Sequence, residues 1–295
     1  MPDQPTRMIW MDGHLVPAAE ARVSVYDHAV LYGDGVFEGL RGYGGRVFKL
    51  GSHLARLCDG ARRIRLTIPY SNEQLTAAVK QTMAACGMQD CYIRLVVTRG
   101  AGTLGLHPFR CPKPGVFIVV DTIQLYPPEL YESGMKVVVA KRPRIPVACL
   151  DPAIKSLNYL NNILAKIEAI DADVLEAIML NTDGFVSECT GDNIFAVRGR
   201  EILTPPTDAG ILHGITRQYV IDTLAPALGY TVREPMMRLD EFLSADEVFL
   251  TGTAAEIIGV SAIDEARIGS GRVGPVTKSL EDEFRRRVKS GAPED

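Results

Sequence analysis

The sequence predicts an α+β protein of two mixed domains, and three observations lead there. Short β-rich runs lie next to one another along the chain and are broken by only a few helical stripes, a pattern of mixed sheets rather than of one doubly wound parallel sheet. Two-residue turn signals, Asp12–Gly13 and Gly44–Gly45, sit between β-rich runs as in tight hairpins. The 295 residues suffice for one large or two modest cores, and a stretch carrying Pro127–Pro128 without a clear period divides them. The expected organisation is a small N-terminal α/β domain over residues 1–122, a linker over 123–134 and a larger C-terminal domain over 135–295.

In chain order, Met8–Met11 and His14–Pro17 form the first predicted hairpin, and Val36–Tyr43 with Arg46–Leu50 the second. From Leu54, apolar residues recur at Leu57, Cys58, Ala61 and Ile64, the stripe of an amphipathic helix. Ser71 with Gln74 reads as a capping box and Gly87 as a helix stop, bracketing a second helix. Tyr92–Thr98 and Val116–Asp121 are β-rich. Beyond the linker come a strand at Lys136–Ala140, a helix at about 159–170, and strands around 177–180, 194–197 and 202–204. A helix at about 215–228, a strand before Glu247–Leu250 and a terminal helix at about 276–288 complete the pattern.

Composition removes several function classes. Acids number 36 against 32 bases, so there is no basic footprint for nucleic acid. Arg62, Arg63 and Arg65, and likewise Arg285–Arg287, read as solvated helix faces. No apolar run approaches the ~20 residues of a membrane helix, and M-P-D-Q-P-T-R lacks the apolar centre of a leader. The six cysteines form no C-x-x-C pair and no zinc spacing with the five histidines. A cytoplasmic protein with reduced thiols and no metal is expected.

Four segments carry chemistry. Lys155, in D-P-A-I-K-S-L-N-Y-L-N-N, has mostly apolar neighbours; burial there would lower its pKa and free the amine to form an imine with an aldehyde. Glu188, between Val186 and Cys189, is an acid that must find a partner, either a pyridinium N–H or an arginine. Gly214-Ile215-Thr216 is expected to open one helix and Gly252-Thr253-Ala254-Ala255 another, each offering amide and hydroxyl donors to a phosphate. Arg56 could add countercharge. An amine, an acid and two phosphate turns together suit pyridoxal phosphate.

The chain resembles the fold-type IV pyridoxal-phosphate enzymes, and within them the branched-chain amino acid aminotransferases. The likeness runs from about Trp10 to about Thr277. It rests on S-V-Y-D-H-A-V-L-Y-G-D-G-V-F-E-G-L-R (Ser24–Arg41), H-L-A-R-L (His53–Leu57), Y-I-R-L-V-V-T-R-G (Tyr92–Gly100), I-K-S-L-N-Y-L-N-N (Ile154–Asn162), S-E-C-T-G-D-N-I-F, G-I-T-R and T-G-T-A-A-E. The resemblance implies a pyridoxal 5′-phosphate cofactor in the cleft between two domains, with Lys155 as its imine-forming and proton-moving lysine. It implies that Glu188 meets the ring nitrogen and Tyr159 the ring hydroxyl oxygen. Arg56, Ile215, Thr216 and Thr253 would hold the phosphate, and Asn193 and Leu212 complete the cofactor set. Tyr32, Phe37, Gly39, Arg41, Tyr92, Arg94, Thr253, Ala254 and Ala255 would line the substrate pocket, with Leu104 and Leu106 closing over it. Some of these would come from a partner subunit of a homodimer or higher homo-oligomer. The implied reaction passes the amino group of L-leucine, L-isoleucine or L-valine to 2-oxoglutarate.

Independently of the family, Tyr92 and Arg94 lie two apart on a β-rich run and so share a face. Phe37, Leu104 and Leu106 would enclose a branched side chain, and Arg94 would pair with the distal carboxylate of glutamate. Rival readings are a D-amino acid aminotransferase, a transaminase of broader specificity that accepts (R)-amines, an aminodeoxychorismate lyase and a non-catalytic cofactor-binding protein. Against the first, Ala101–Leu104 follow Gly100 without an Arg-x-His carboxylate trap; against the lyase, Y-G-D-G-V-F-E-G-L-R is intact; against the last, phosphate binding alone needs neither Lys155 nor Glu188. Cys189–Thr190 stand where relatives carry small residues, and His213 where they often carry proline or arginine.

Overall fold

The computed structural model describes residues 7–123 and 126–291. Residues 1–6, read above for a leader, and 124–125 of the expected linker lie outside the description. Contacts divide the described chain into two units: 7–123 with Ile154–Asn158 and Gly291, and 126–153 with Tyr159–Ser290.

In the first unit, β1 (Met8–Met11), β2 (His14–Pro17), α1 (His28–Tyr32), β3 (Gly35–Tyr43), β4 (Arg46–Val47), α2 (Leu50–Arg63), α3 (Asn72–Cys86), β5 (Cys91–Thr98) and β6 (Gly115–Asp121) follow in order. The strands make one sheet, β2-β1-β6-β5-β3-β4, antiparallel throughout. The Asp12–Gly13 hairpin forms in the expected register, and the capping box at Ser71 and the left-handed stop at Gly87 bound α3. The second hairpin is shorter than expected. β4 ends at Val47 because Lys49 turns left-handed and starts α2 at Leu50. Val36, Leu40, Leu54, Leu57, Ile93, Leu95 and Ile118 form the core under the helices.

The second unit holds α4 (Leu130–Ser133), β7 (Met135–Val139), α5 (Leu160–Asp171), β8 (Glu176–Leu180), β9 (Val186–Cys189), β10 (Asn193–Arg198), β11 (Glu201–Leu203) and α6 (Ile215–Tyr219). A π turn, Val220–Leu224, carries α6 into α7 (Ala225–Ala227), where Pro226 has no amide to continue the regular ladder. Then come β12 (Thr231–Arg233), α8 (Leu239–Leu243), β13 (Glu247–Gly252), β14 (Glu256–Ile263), β15 (Ala266–Arg267) and α9 (Pro275–Ser290). The mixed nine-stranded sheet runs β12-β11-β10-β13-β14-β7-β8-β9, with β15 on β14 and parallel pairs at β11–β12, β14–β7 and β7–β8. Phe195 and Phe249, cross-strand partners, stack 4.7 Å apart inside it. Among the described residues no helix is long and apolar enough to cross a membrane.

Within the stretch expected as linker lie α4 and, beside it, the buried Tyr126; a four-residue helix is too short to show a period. One expectation needs correcting. Gly252–Ala255 does not open a helix. Gly252 pairs with Glu256 across a turn between β13 and β14, and Glu256 closes it at φ +60°, a left-handed conformation that no helix continues.

Candidate active site

The expected residues assemble in two places, one in each unit. In the first unit the segment carrying Lys155 runs antiparallel along the free edge of β3. Phe37 N donates to Lys155 O at 3.0 Å, Leu157 N donates to Gly35 O at 2.9 Å, and Val36 bridges Ser156. The Lys155 side chain is half-buried, not enclosed as its apolar neighbours in sequence suggested. Its Nζ lies 4.7 Å from the Phe37 ring centroid, and the Arg94 guanidinium lies 4.4 Å from the same centroid. One aromatic ring thus carries both cations, an arrangement its negative face stabilises.

Register explains the grouping. Arg94 pairs with Gly39, and Tyr92 with Arg41, across β3 and β5, so odd positions of β3 and even positions of β5 share a face. Arg94 Nη2 donates to Tyr92 Oη at 3.2 Å. Tyr92 Oη occupies the space a Cβ at position 39 would need, so any larger residue there must displace the Tyr92 ring. Arg41 leans toward Tyr43, 5.3 Å from its ring.

Tyr32 and the loop after β5 form a separate group. Tyr32 Oη accepts the Gly105 amide at 2.8 Å, and His28 Nε2 meets Thr103 O at 2.9 Å. Between and beyond these latches Leu104 and Leu106 stand 68% and 80% exposed in the single chain.

On the opposite face of β3, buried Glu38 grips Arg56 of α2. Arg56 Nε donates to Oε1 at 2.7 Å and Nη2 to Oε2 at 2.8 Å, while His53 Nδ1 meets Oε2 at 2.7 Å. Burial alone would raise the Glu38 pKa, but the Arg56 guanidinium and His53 outweigh it and hold the carboxyl far below the usual range.

In the second unit Glu188, on β9, is buried and fully engaged. Arg144 Nη2 donates to its Oε1 at 2.7 Å; Asn193 Nδ2 and the Leu212 amide donate to Oε2 at 3.1 and 3.0 Å. Of the two partners the sequence left open for this acid, an arginine is present. The sequence does not single out Arg144: its signal is indirect, a buried acid needing countercharge, and P-R-I-P carries no site pattern. Arg144 Nη1 also donates to Asn162 Oδ1 at 2.8 Å, and Asn162 Nδ2 to Thr190 O at 2.8 Å.

Asn193 further joins the two Gly/Thr turns. It pairs with Thr251 across β10 and β13, donates to Leu212 O at 3.1 Å, and its Oδ1 sits where a Cβ on Gly214 would lie. Gly214 caps α6 without a side-chain hydrogen bond, which leaves the Ile215 and Thr216 amides of the first turn without a side-chain cap. Ala255 is buried in the core, with Thr253 and Ala254 half-buried at the turn. Tyr159 is half-buried just before α5.

Cys189 and Thr190, two of the three residues that depart from the relatives' pattern, turn to other tasks. Cys189 packs in the core, and Thr190 hydrogen-bonds Glu176 through its hydroxyl and, at 3.0 Å, its amide. Near them Asp192 accepts from Tyr126 Oη at 2.7 Å. Burial, then the Glu176 carboxylate, push the Asp192 pKa up to about 7 against the Tyr126 hydrogen bond and the Lys166 ammonium, with Glu188 adding to the rise.

Comparison with known proteins gives one answer. Residues 35–263 match the amino-transferase class IV family, and the chain belongs to it. It is therefore an aminotransferase of mixed α+β, fold-type IV architecture. A Methanocaldococcus jannaschii protein is 47% identical over 277 residues, covering 94% of this chain and 95% of its own. The branched-chain-amino-acid aminotransferase of Pseudomonas aeruginosa is 37% identical over 283 residues, 94% and 91% of the two chains. The crystal structure of the T.th. branched-chain amino acid aminotransferase with pyridoxamine 5′-phosphate superposes with a TM-score of 0.93 at 37% identity, covering 98% of this chain and 96% of that one.

Proposed function

We propose that this aminotransferase moves the amino group of L-branched-chain amino acids to 2-oxoglutarate, with pyridoxal 5′-phosphate as its cofactor. The observation that carries the reading is the Phe37 ring flanked by Lys155 Nζ and the Arg94 guanidinium, 4.7 and 4.4 Å from its centroid. An amine, an apolar wall and a carboxylate-binding cation then lie within one substrate length. Relatives named for branched-chain substrates support the substrate class.

The residues present fit the cofactor. The Ile215 and Thr216 amides head a helix without a side-chain cap, while glycine at 214 and 252 makes room for the Asn193 and Asp192 side chains that pack there. Uncapped main-chain donors suit a phosphate. Arg56 and Thr253 would complete its grip, and Tyr159 would face the ring hydroxyl. When bound, pyridoxal phosphate supplies an aldehyde that condenses with amines and a protonated ring that withdraws electrons.

The chain's own residues do the rest. Lys155 Nζ would take the proton from the substrate Cα and pass it to the carbon that was the cofactor's aldehyde. Glu188, held in orientation by Arg144, Asn193 and the Leu212 amide, would face the ring nitrogen and keep its proton in place. Phe37 excludes water from the reacting carbon. Arg94 pairs with the distal carboxylate of glutamate and rests on Phe37 and Tyr92 when an aliphatic side chain is bound.

Borohydride reduction followed by peptide mapping tests this directly: the cofactor mass should fix to the peptide containing Lys155, and label on another lysine would sink the reading. Lys155→Ala should abolish turnover, and Glu188→Gln should retain cofactor while losing most of the rate. A panel of L- and D-amino acids against 2-oxoglutarate and pyruvate should show preference for L-leucine, L-isoleucine and L-valine with 2-oxoglutarate; preference for D-amino acids would overturn the substrate assignment.

A further inference from the structure

The charged trio Glu38, His53 and Arg56 stands in an apolar layer. Glu38 lies on the β3 face that also presents Val36 and Leu40, and α2 meets that face with buried Leu54 and Leu57. Glu38 and His53 are wholly buried, and the Arg56 side chain is 11% exposed. A buried ion pair in such a place is weak evidence for stability, because apolar residues of similar size often serve as well. Its geometry points elsewhere.

Glu38 takes the Nε–Nη2 edge of the guanidinium with both oxygens, and His53 Nδ1 holds the second oxygen from the other side. A guanidinium gripped on that edge has its plane and direction set, and it turns the Nη1–Nη2 edge away from the carboxylate. Burial lowers the His53 pKa; Glu38 opposes that, while the Arg56 and Lys155 charges add to it. A neutral imidazole donating from Nδ1 is the form that fits a carboxylate acceptor. The trio is also tied to the catalytic lysine. Phe37, the residue before Glu38, gives its amide to Lys155 O, and Gly60, one turn beyond Arg56 on α2, lies beside the Lys155 backbone.

We propose that Glu38 and His53 are positioning residues for the cofactor phosphate, acting through Arg56. They set the guanidinium before binding, so that a phosphate monoester meets it without the entropy cost of ordering a long side chain. The proposal rests on the reading of Arg56 as a phosphate ligand.

The test uses the full-length chain freed of cofactor, titrated with pyridoxal phosphate and with pyridoxal, which has the same ring and aldehyde but no phosphate. The ratio of their dissociation constants isolates the phosphate contribution. Arg56→Gln should collapse that ratio, and Glu38→Gln should lower it by roughly ten- to a hundredfold, the scale of one charge-assisted hydrogen bond, with pyridoxal affinity nearly unchanged. The double variant should be no worse than Arg56→Gln alone. His53→Leu should lower the ratio several-fold and His53→Gln, which can still donate to Glu38, should restore it. The His53 pair decides the matter if Glu38→Gln does not fold. Equal weakening of both ligands, or additive effects with Arg56→Gln, would reduce the trio to a core ion pair and overturn the proposal. An unchanged ratio in Arg56→Gln would remove the phosphate assignment itself, and this inference with it. Loss in Arg56→Gln without loss in Glu38→Gln or His53→Leu would remove this inference alone.

Discussion

Two arginines stand five apart on and just after β5 and have opposite roles. Arg99 spends its donors inside the first unit: Nε and Nη2 bind Asp34 at 2.8 and 2.9 Å, and Nη1 and Nη2 bind the Arg65 and Ile64 carbonyls at 2.9 and 2.8 Å. It ties the Y-G-D-G turn to the end of α2, a role the sequence did not reveal, and has no donor edge left for a substrate. Arg94 instead lies on the Phe37 ring with one hydrogen bond to Tyr92. Losing a charge-assisted hydrogen bond costs about 1.5–3 kcal/mol, so Arg94→Ala should weaken 2-oxoglutarate use by roughly ten- to a hundredfold. The leucine half-reaction, followed alone in single turnover, should change much less. Equal losses in both half-reactions would make Arg94 structural, with Arg41 the next candidate for the carboxylate.

At the scale of elements, the β3–β5 ladder sets the pocket face, and its tolerance is narrowest at Gly39. A Cβ there would overlap the Tyr92 hydroxyl, which must then swing away from Arg94. Gly39→Ala should therefore cost about 1–3 kcal/mol by overpacking, read as a lower denaturation midpoint, and should blunt substrate discrimination. Adding Tyr92→Phe removes the overlapping oxygen and should recover part of the stability. No recovery would mean that the strand backbone, not Tyr92, sets the limit. The α1 helix belongs to this scale too. Asp27 caps it through the Ala29 amide and also accepts from Thr98 Oγ1, at 2.8 and 2.7 Å, so five residues suffice to hold Tyr32 against the Gly105 amide. A helix of this length has no visible period, whereas the long stripes of α2 and α3 were legible.

For the whole molecule, two measurements matter. The Asp192 pKa, about 7 in the folded chain against an ordinary 3.8, means that the folded form holds more protons than the unfolded form across that window. Its contribution is therefore present at low pH and lost as pH rises toward about 7. Asp192→Asn keeps an acceptor for Tyr126 and removes this titration. The thermal midpoint of the variant should gain on that of the wild type as pH rises from about 4 to about 7. His53 titrates in the opposite sense, but it is present in both proteins and cancels in the difference. Parallel curves would show that the Asp192 proton is not released in this range. Assembly is the second. Val25 and Val30, before and on α1, and Leu104 and Leu106, on the loop after β5, are exposed in the single chain, and such apolar side chains suit a partner surface. Light scattering at micromolar concentration should find a dimer or larger species, and an active species of one chain mass would defeat the shared-pocket reading.

Much was decided by local sequence. Hairpins at Asp12–Gly13, caps at Ser71 and Gly87 and the stripe of α2 depend on neighbours within a few residues, so the chain alone reveals them. Lys155, Glu188 and the two Gly/Thr turns stand out in the sequence because their residue types and order are rare together. The sequence did not reveal the turn at Gly252–Glu256, because Glu256–Val260 of β14 are all buried and Ile257–Val260 have no alternation to tell strand from helix. Nor did it pair Glu188 with Arg144, 44 residues away, or Glu38 with His53 and Arg56 on another element. A buried charge needs a partner, but the sequence states only the need. Which residue meets it depends on strand register and helix docking, and those are settled only when the chain has folded.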